Sequence, residues 1–350
     1  MRHADLSFTP VWSDSLGAKT TCCYVETPDL SICVDPGVAA MQPSYPLSAA
    51  EKARREREAR REIERAASRA DHVAISHYHY DHYLPDPSLY RDAELWLKDP
   101  NRWINDSQRE RAGEFLAALA ADRGVELTET PPRQRAFDDP LSDLPHATGK
   151  DFGGYQARRE ELLETWRGRF RGRAERWATE PWVEEPPFAR FADGRSFERG
   201  GTRVRFHGPL FHGIEYASTG WVFATVVETP EAKFVHSSDL EGPVVEDYAD
   251  WLVEEDPDLV FLDGPATYLL GYVVNRTNLR RSVDNARRIV REAEPELLVW
   301  DHHLLRDRRY RERTSSFWEL ASEGYDVRTV AELRGVDPLV DRLSESDGGA

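Results

Sequence analysis

Cysteine, lysine and methionine are scarce in this 350-residue chain, and it has no long hydrophobic run. Three cysteines (Cys22, Cys23 and Cys33) are too few for a disulfide framework, and an odd count leaves one thiol unpaired. Reduced thiols and a cytoplasmic location are expected. The longest apolar stretch, Trp221 to Val227, falls far short of the ~20 residues that span a bilayer, and the first twenty residues hold no continuous apolar segment. No membrane anchor is expected. Lysine numbers 5 against 41 arginines, and 46 basic residues against 63 acidic ones leave a net charge of −17. Such a surface disfavours nucleic acid or anionic membrane as a bulk partner, while leaving room for a local Arg-lined groove. Acidity with little lysine suits a salt-loving microbe, whose exposed carboxylates hold hydration while salt screens their repulsion; the alternative is a GC-rich genome, which favours Arg codons.

What the chain does have is core-forming material: 40% hydrophobic residues, with 10 Trp, 13 Tyr and 14 Phe. The apolar runs at 20–26 and 30–34, split by a Thr-Pro-Asp turn, predict a hairpin that ends in Asp35-Pro36-Gly37. Ser48, with Glu51 three residues on, predicts the start of a helix over 49–70. Further strands are expected at 72–76, 202–206, 220–228, 233–237, 259–263 and 297–301, with a helix at 279–292. Strands alternating with helices indicate an α/β protein. Between about 106 and 192, helices at 107–123 and 156–177 flank a Pro- and Asp-rich loop over 130–143, and a Pro-rich link follows at 181–187; this predicts an inserted helical subdomain within a domain of residues 1–335. The end of the chain, 336–350, reads as a disordered tail.

The chemistry concentrates at His77-Tyr78-His79-Tyr80-Asp81-His82, immediately after a short apolar strand. A loop leaving a strand can turn successive imidazoles toward one point, and zinc takes neutral imidazole nitrogens together with carboxylate oxygens. Four such side chains in six residues are too many for a single tetrahedral ion that keeps an open position, so two ions are the economical reading. Further donors are expected at later strand ends: His212, Asp239 and the adjacent His302 and His303.

In this order these residues resemble the metallo-β-lactamase superfamily, whose pattern is His-x-His-x-Asp-His, a distant His, a bridging Asp and a final His. Asp35 matches its early strand-end Asp. Lys98-Asp99-Pro100, the stretches 237–243 and 263–268, and Asp301-His302-His303-Leu304-Leu305-Arg306-Asp307 further resemble an archaeal branch of predicted metal-dependent hydrolases, in keeping with a halophilic archaeon. The resemblance implies a four-layer αββα sandwich of two similar halves. It implies His77, His79 and His212 on one ion, Asp81, His82 and one of His302 or His303 on the other, and Asp239 bridging. His302 is favoured because Arg306 follows it at the spacing of tRNA-processing members, although strand alternation leaves the choice open. Asp35 would orient a ligand imidazole. Two Zn²⁺ (or Mn²⁺ or Fe²⁺) are the implied cofactors, and a water shared by the ions the nucleophile, with Asp81 and Asp239 in the catalytic set. Tyr268, Asn275 and Arg306 are candidates for substrate contact.

The leading expectation is a dinuclear hydrolase acting on an ester-like or phosphoryl substrate. The alternatives are a nuclease of the same fold and a non-enzymatic metal scaffold. A diiron flavoprotein fits poorly, because those proteins place Glu where His79 stands here and carry an added flavodoxin domain. The Arg-rich stretch Arg158, Arg159, Arg167, Arg169, Arg171 and Arg173 reads first as a solvated helix face and second as a local basic track. The insertion would then serve as a lid over a small substrate.

Overall fold

The computed structural model describes residues 1–132 and 135–347. The apolar runs form two mixed sheets. The first holds, in spatial order, β1 (Arg2–His3), β2 (Leu6–Pro10), β3 (Cys23–Glu26), β4 (Ser31–Val34), β5 (His72–Ile75) and β6 (Glu94–Leu97). A two-stranded ribbon of β7 (Glu129–Thr130) and β8 (Trp182–Val183) follows, and β9 (Ala189–Phe191) then extends the first sheet beside β6. The second sheet runs β10 (Ser196–Arg199), β11 (Thr202–Phe211), β12 (Trp221–Glu228), β13 (Lys233–His236), β14 (Leu259–Asp263), β15 (Leu297–Asp301) and β16 (Val327–Arg328). In each sheet the early strands pair antiparallel and the late ones parallel, so the two halves repeat one topology.

Strand alternation assigns the layers. Along β14, Phe261 joins the core between the sheets, where Phe8 stacks on Phe234 with centroids 4.7 Å apart, while Val260 and Leu262 turn to the other face. There they meet Leu252 of α5 (Glu246–Glu255) and Ile289 and Val290 of α6 (Arg276–Ala293). On the first sheet, α1 (Ala49–Ala67) contributes Ala59 and Ile63, and α2 (Asp106–Arg123) contributes Phe115 and Leu116. The result is the expected helix, sheet, sheet, helix sandwich. Because β14 and β15 are covered on both faces, all their residues are buried, which is why each reads as an unbroken apolar run.

Two expectations about organisation are corrected. The insertion is narrower than 106–192, since α2 packs into the sandwich core and β9 is a strand of its sheet. What remains between them is the ribbon with α3 (Pro145–Gly149) and α4 (Gln156–Thr179). The tail is not wholly irregular either: Leu339–Asp347 is a helix that buries Leu339 and Val340, and Asp341 accepts a hydrogen bond from Tyr310 Oη at 2.8 Å. Residues 348–350 of that tail, and 133 and 134 of the Pro- and Asp-rich loop, lie outside the described residues.

Candidate metal centre

The carboxyl ends of the strands converge on one edge of the sandwich, the place where open α/β sheets hold ligands. β4 delivers Asp35, β5 the loop 76–82, β11 His212, β13 Asp239, β14 Asp263, and β15 the pair His302 and His303. All but His79, Tyr80 and Asp81 of these polar side chains are buried. Backbone strain gathers here too, for Asp35, Ser238, Glu241 and His302 all adopt left-handed conformations, with φ of 50°, 53°, 52° and 72°.

Two donor groups form. In one, His77, His79, His212 and Asp239 offer ligand atoms within 4.8 Å of one another: His77 Nε2 is 3.0 Å from His79 Nδ1 and 3.5 Å from Asp239 Oδ2, and His212 Nε2 is 3.0 Å from the same oxygen. In the other, Asp81, His82 and His302 meet under the same limit, with His82 Nε2 and His302 Nε2 lying 3.1 and 3.6 Å from Asp239 Oδ1. Asp239 therefore presents one oxygen to each group. His82 Nε2 and Asp239 Oδ1 are buried with no hydrogen-bond partner, although polar atoms in protein interiors are nearly always paired. A cation between the groups would satisfy both atoms, so the residues present fit divalent metal ions of the N/O-binding type.

The far nitrogens of the imidazoles are held from behind. Asp35 Oδ2 lies 2.9 Å from His82 Nδ1, and its carboxylate also accepts from the Ser76 amide and hydroxyl. Sequence reasoning missed the equivalent partners of the final pair: Asp14 Oδ1 is 2.9 Å from His302 Nδ1, and Asp263 Oδ1 is 2.9 Å from His303 Nδ1. Such carboxylates fix the tautomer that leaves Nε2 free to bind. His302 is the member of the pair that joins Asp81 and His82, while His303 forms a group with Asp239 and His302. Gln108 was also missed; its side chain lies 3.4 Å from His79 Nε2 and donates to Thr219 O at 2.6 Å.

The field at the centre favours a cation. Burial pulls His79 down to about 3, with His212 adding to the effect, and holds His77 well below the ordinary imidazole value. Burial opposes charge on Asp239 as well, but His82, His302, His212 and His77 outweigh it and keep the carboxyl well below the usual carboxylate range. For His302, burial is overcome by Asp14, which lifts it to about 10. The carboxylates thus draw positive charge to this spot.

The remaining candidates divide. Arg306 is buried, donating to Asp14 Oδ2 at 2.5 Å and Asp81 Oδ2 at 3.3 Å, so its guanidinium braces the centre. Tyr268 lies against Arg306, which limits the upward shift that burial gives its phenol. Asn275 caps α6 and donates to Tyr155 Oη at 3.0 Å. His207 stacks on Trp251 with centroids 4.1 Å apart. His3 is half-buried, with Nδ1 2.6 Å from Glu296. Lys98, from the Lys-Asp-Pro motif, is fully buried and pairs with Asp193, which also accepts from the Asp99 amide at 2.7 Å.

A cavity of about 290 Å³ opens beside the centre, with His212 and Glu241 in its wall. Its roof is α4, contributing Leu162, Trp166, Arg169 and Arg173, and its far side is Val273, Val274 and Asn275.

Two facing mixed sheets between helical layers, with the His-x-His-x-Asp-His loop and the later His, Asp and His at strand ends, define a protein of the metallo-β-lactamase fold. Within that class the chain belongs to the UPF0282 family. It is 33% identical to the UPF0282 protein of Methanopyrus kandleri over 96% of each chain. It is 34% identical to that of Korarchaeum cryptofilum, covering 91% of this chain and 85% of the relative, and 30% identical to that of Methanocaldococcus jannaschii, covering 95% and 92%. No protein-family model matches the chain. Similar solved structures include the metallo-β-lactamase fold protein YhfI of Bacillus subtilis (12% identity, 93% of this chain and 96% of that one, TM-score 0.41). Another is CmlA, a diiron β-hydroxylase of Streptomyces venezuelae (14% identity, 94% and 53%, TM-score 0.41). Among the described residues, no helix is long and apolar enough to cross a membrane.

Proposed function

We propose that the protein is a dinuclear, zinc-dependent hydrolase of an ester-like or phosphoryl substrate. The carrying observation is the split carboxylate of Asp239, one oxygen facing His77, His79 and His212 and the other facing His82 and His302. Two ions held there would supply an acidified water and polarise the group under attack. His77, His79, His212 and Asp239 would hold one ion, and Asp81, His82, His302 and Asp239 the other. Asp35 and Asp14 keep His82 and His302 in the tautomer that donates through Nε2. Arg306 balances the charge of Asp81 and Asp14 from the protein side. The roof formed by α4 lies over the adjoining cavity and narrows its opening to bulk water.

Protein purified without added metal should carry about two zinc ions per chain by elemental analysis. Asp239→Ala should lose both retained metal and hydrolysis in a screen of bis(p-nitrophenyl) phosphate, phosphomonoesters, lactones and thioesters. Full activity without Asp239 would remove the bridging role, and two bound ions with no hydrolysis of any class would favour a metal scaffold.

A further inference from the structure

α4 carries an ordered stripe on its cavity face. Leu162, Trp166, Arg169 and Arg173 stand at spacings of four, three and four residues, which places them on one side of the helix, and all four line the cavity. The stripe is polarised along the axis, apolar toward the start of the helix and cationic toward its end. Ile214, from the turn after His212, and Val273, from the loop before α6, extend the apolar wall.

The two arginines differ from their neighbours. Arg158 pairs with Glu161, Arg159 with Glu215, Arg167 with Asp139 and Glu164, Arg171 with Glu164, and Arg176 with Asp106. Among the described residues neither Arg169 nor Arg173 forms a salt bridge, in a chain of net charge −17. Like charges four residues apart on a helix repel; the one carboxylate that draws on Arg173, Asp106, is already paired with Arg176, so an anion between Arg169 and Arg173 would relieve the repulsion that remains. A guanidinium binds carboxylate and phosphate oxygens in bidentate fashion. The cavity volume, about 290 Å³, lies just below the ~300–1,000 Å³ of small-molecule pockets and suits one small molecule, not a polynucleotide.

We propose that this cavity binds a small amphipathic anion, its aliphatic or aromatic body against Leu162, Trp166, Ile214 and Val273 and its carboxylate or phosphate on Arg169 and Arg173. That this molecule is the substrate, with its reacting group at the His212 and Glu241 end, rests on the hydrolase reading above; the binding itself does not.

The test is calorimetric titration of the zinc-loaded protein and of its Arg169→Gln/Arg173→Gln variant with 1-naphthyl phosphate, 1-naphthoate and 1-naphthol. Both substitutions keep a helix-compatible side chain on an accessible face, and metal content and circular dichroism check that centre and fold persist. The expected result is a loss of affinity of about tenfold or more for one or both anions in the variant, with 1-naphthol unchanged. Which anion is more affected identifies the preferred headgroup. Equal affinity of wild type and variant for both anions overturns the inference, as does an equal loss for naphthol. Repeating the titration on chelator-treated protein separates the two readings: an arginine-dependent preference there upholds this site even if no ester is hydrolysed.

Discussion

Asp239 is the residue on which the centre turns, but the carboxylates behind the imidazoles decide how firmly each donor is aimed. Asp14 and Asp263 stand behind adjacent histidines, and only His302 meets Asp81 and His82. His302→Ala should therefore release one of two ions, whereas His303→Ala should keep both, as metal titration would show; the reverse pattern would reassign the ligand. Asp14→Ala should weaken the ion held by His302 by about 10–100-fold, the usual effect of removing an orienting partner. Gly37 tests the same centre through the backbone. A Cβ there would sit 2.1 Å from the Tyr83 amide nitrogen and 2.2 Å from that of His82, so Gly37→Ala must displace the histidine loop. A loss of about 1–3 kcal/mol in denaturant unfolding, with poorer metal retention, is expected. The donor loop was legible because its residues are sequence neighbours with a single chemical use. Asp14 was not: its partner lies 288 positions away, and a Ser-Asp-Ser stretch looks like any polar turn.

At the scale of elements, the roof is fastened by a buried charge cluster. Glu215 accepts from Arg159 of α4 at 2.8 Å and from Arg281 of α6, and Arg281 also bonds Glu246 at 2.7 Å. Burial opposes ionisation of Glu215, but Arg281 and Arg159 outweigh it and hold the carboxyl below its ordinary value. Glu246 is lowered in the same way, chiefly by Arg281. A carboxyl with a lowered folded value contributes stability above its unfolded value of ~4.3, and that contribution is lost as pH falls toward the folded value. Protection of the α4 amides from hydrogen exchange, taken relative to the intrinsic rate at each pH, should accordingly fall below about pH 4.5. Glu215→Gln should cost about 3–5 kcal/mol at pH 7 and flatten the acid slope; an unchanged slope would detach the cluster from the roof. The buried parallel strands were readable to the residue, as at Leu259–Asp263 and Leu297–Asp301, because two-sided burial leaves apolar side chains up to the aspartate that ends each strand. β9 was not, since three residues just after Pro186-Pro187 give no period to read. The helix Leu339–Asp347 was hidden by a polar ending, although Leu339 and Val340 anchor it.

For the whole molecule, the composition makes a separate prediction. With a net charge of −17 and only five lysines, mutual repulsion is screened only when salt shortens the Debye length. Raising KCl from about 0.1 to 2 M should raise Tm by on the order of 5 °C in a melting assay. A flat or falling Tm would leave the arginine bias to codon usage.

The pairing of Asp14 with His302 also bears on how the chain comes to life on the ribosome. The loop 77–82 emerges early, yet under the proposed assignment it remains a partial and weak donor set while His212, Asp239 and His302 are still unmade. Metal binding is coupled to completion of the fold that gathers the donors. A chain stalled before β15 would thus lack its last imidazole, and ion capture would mark the moment at which synthesis has succeeded.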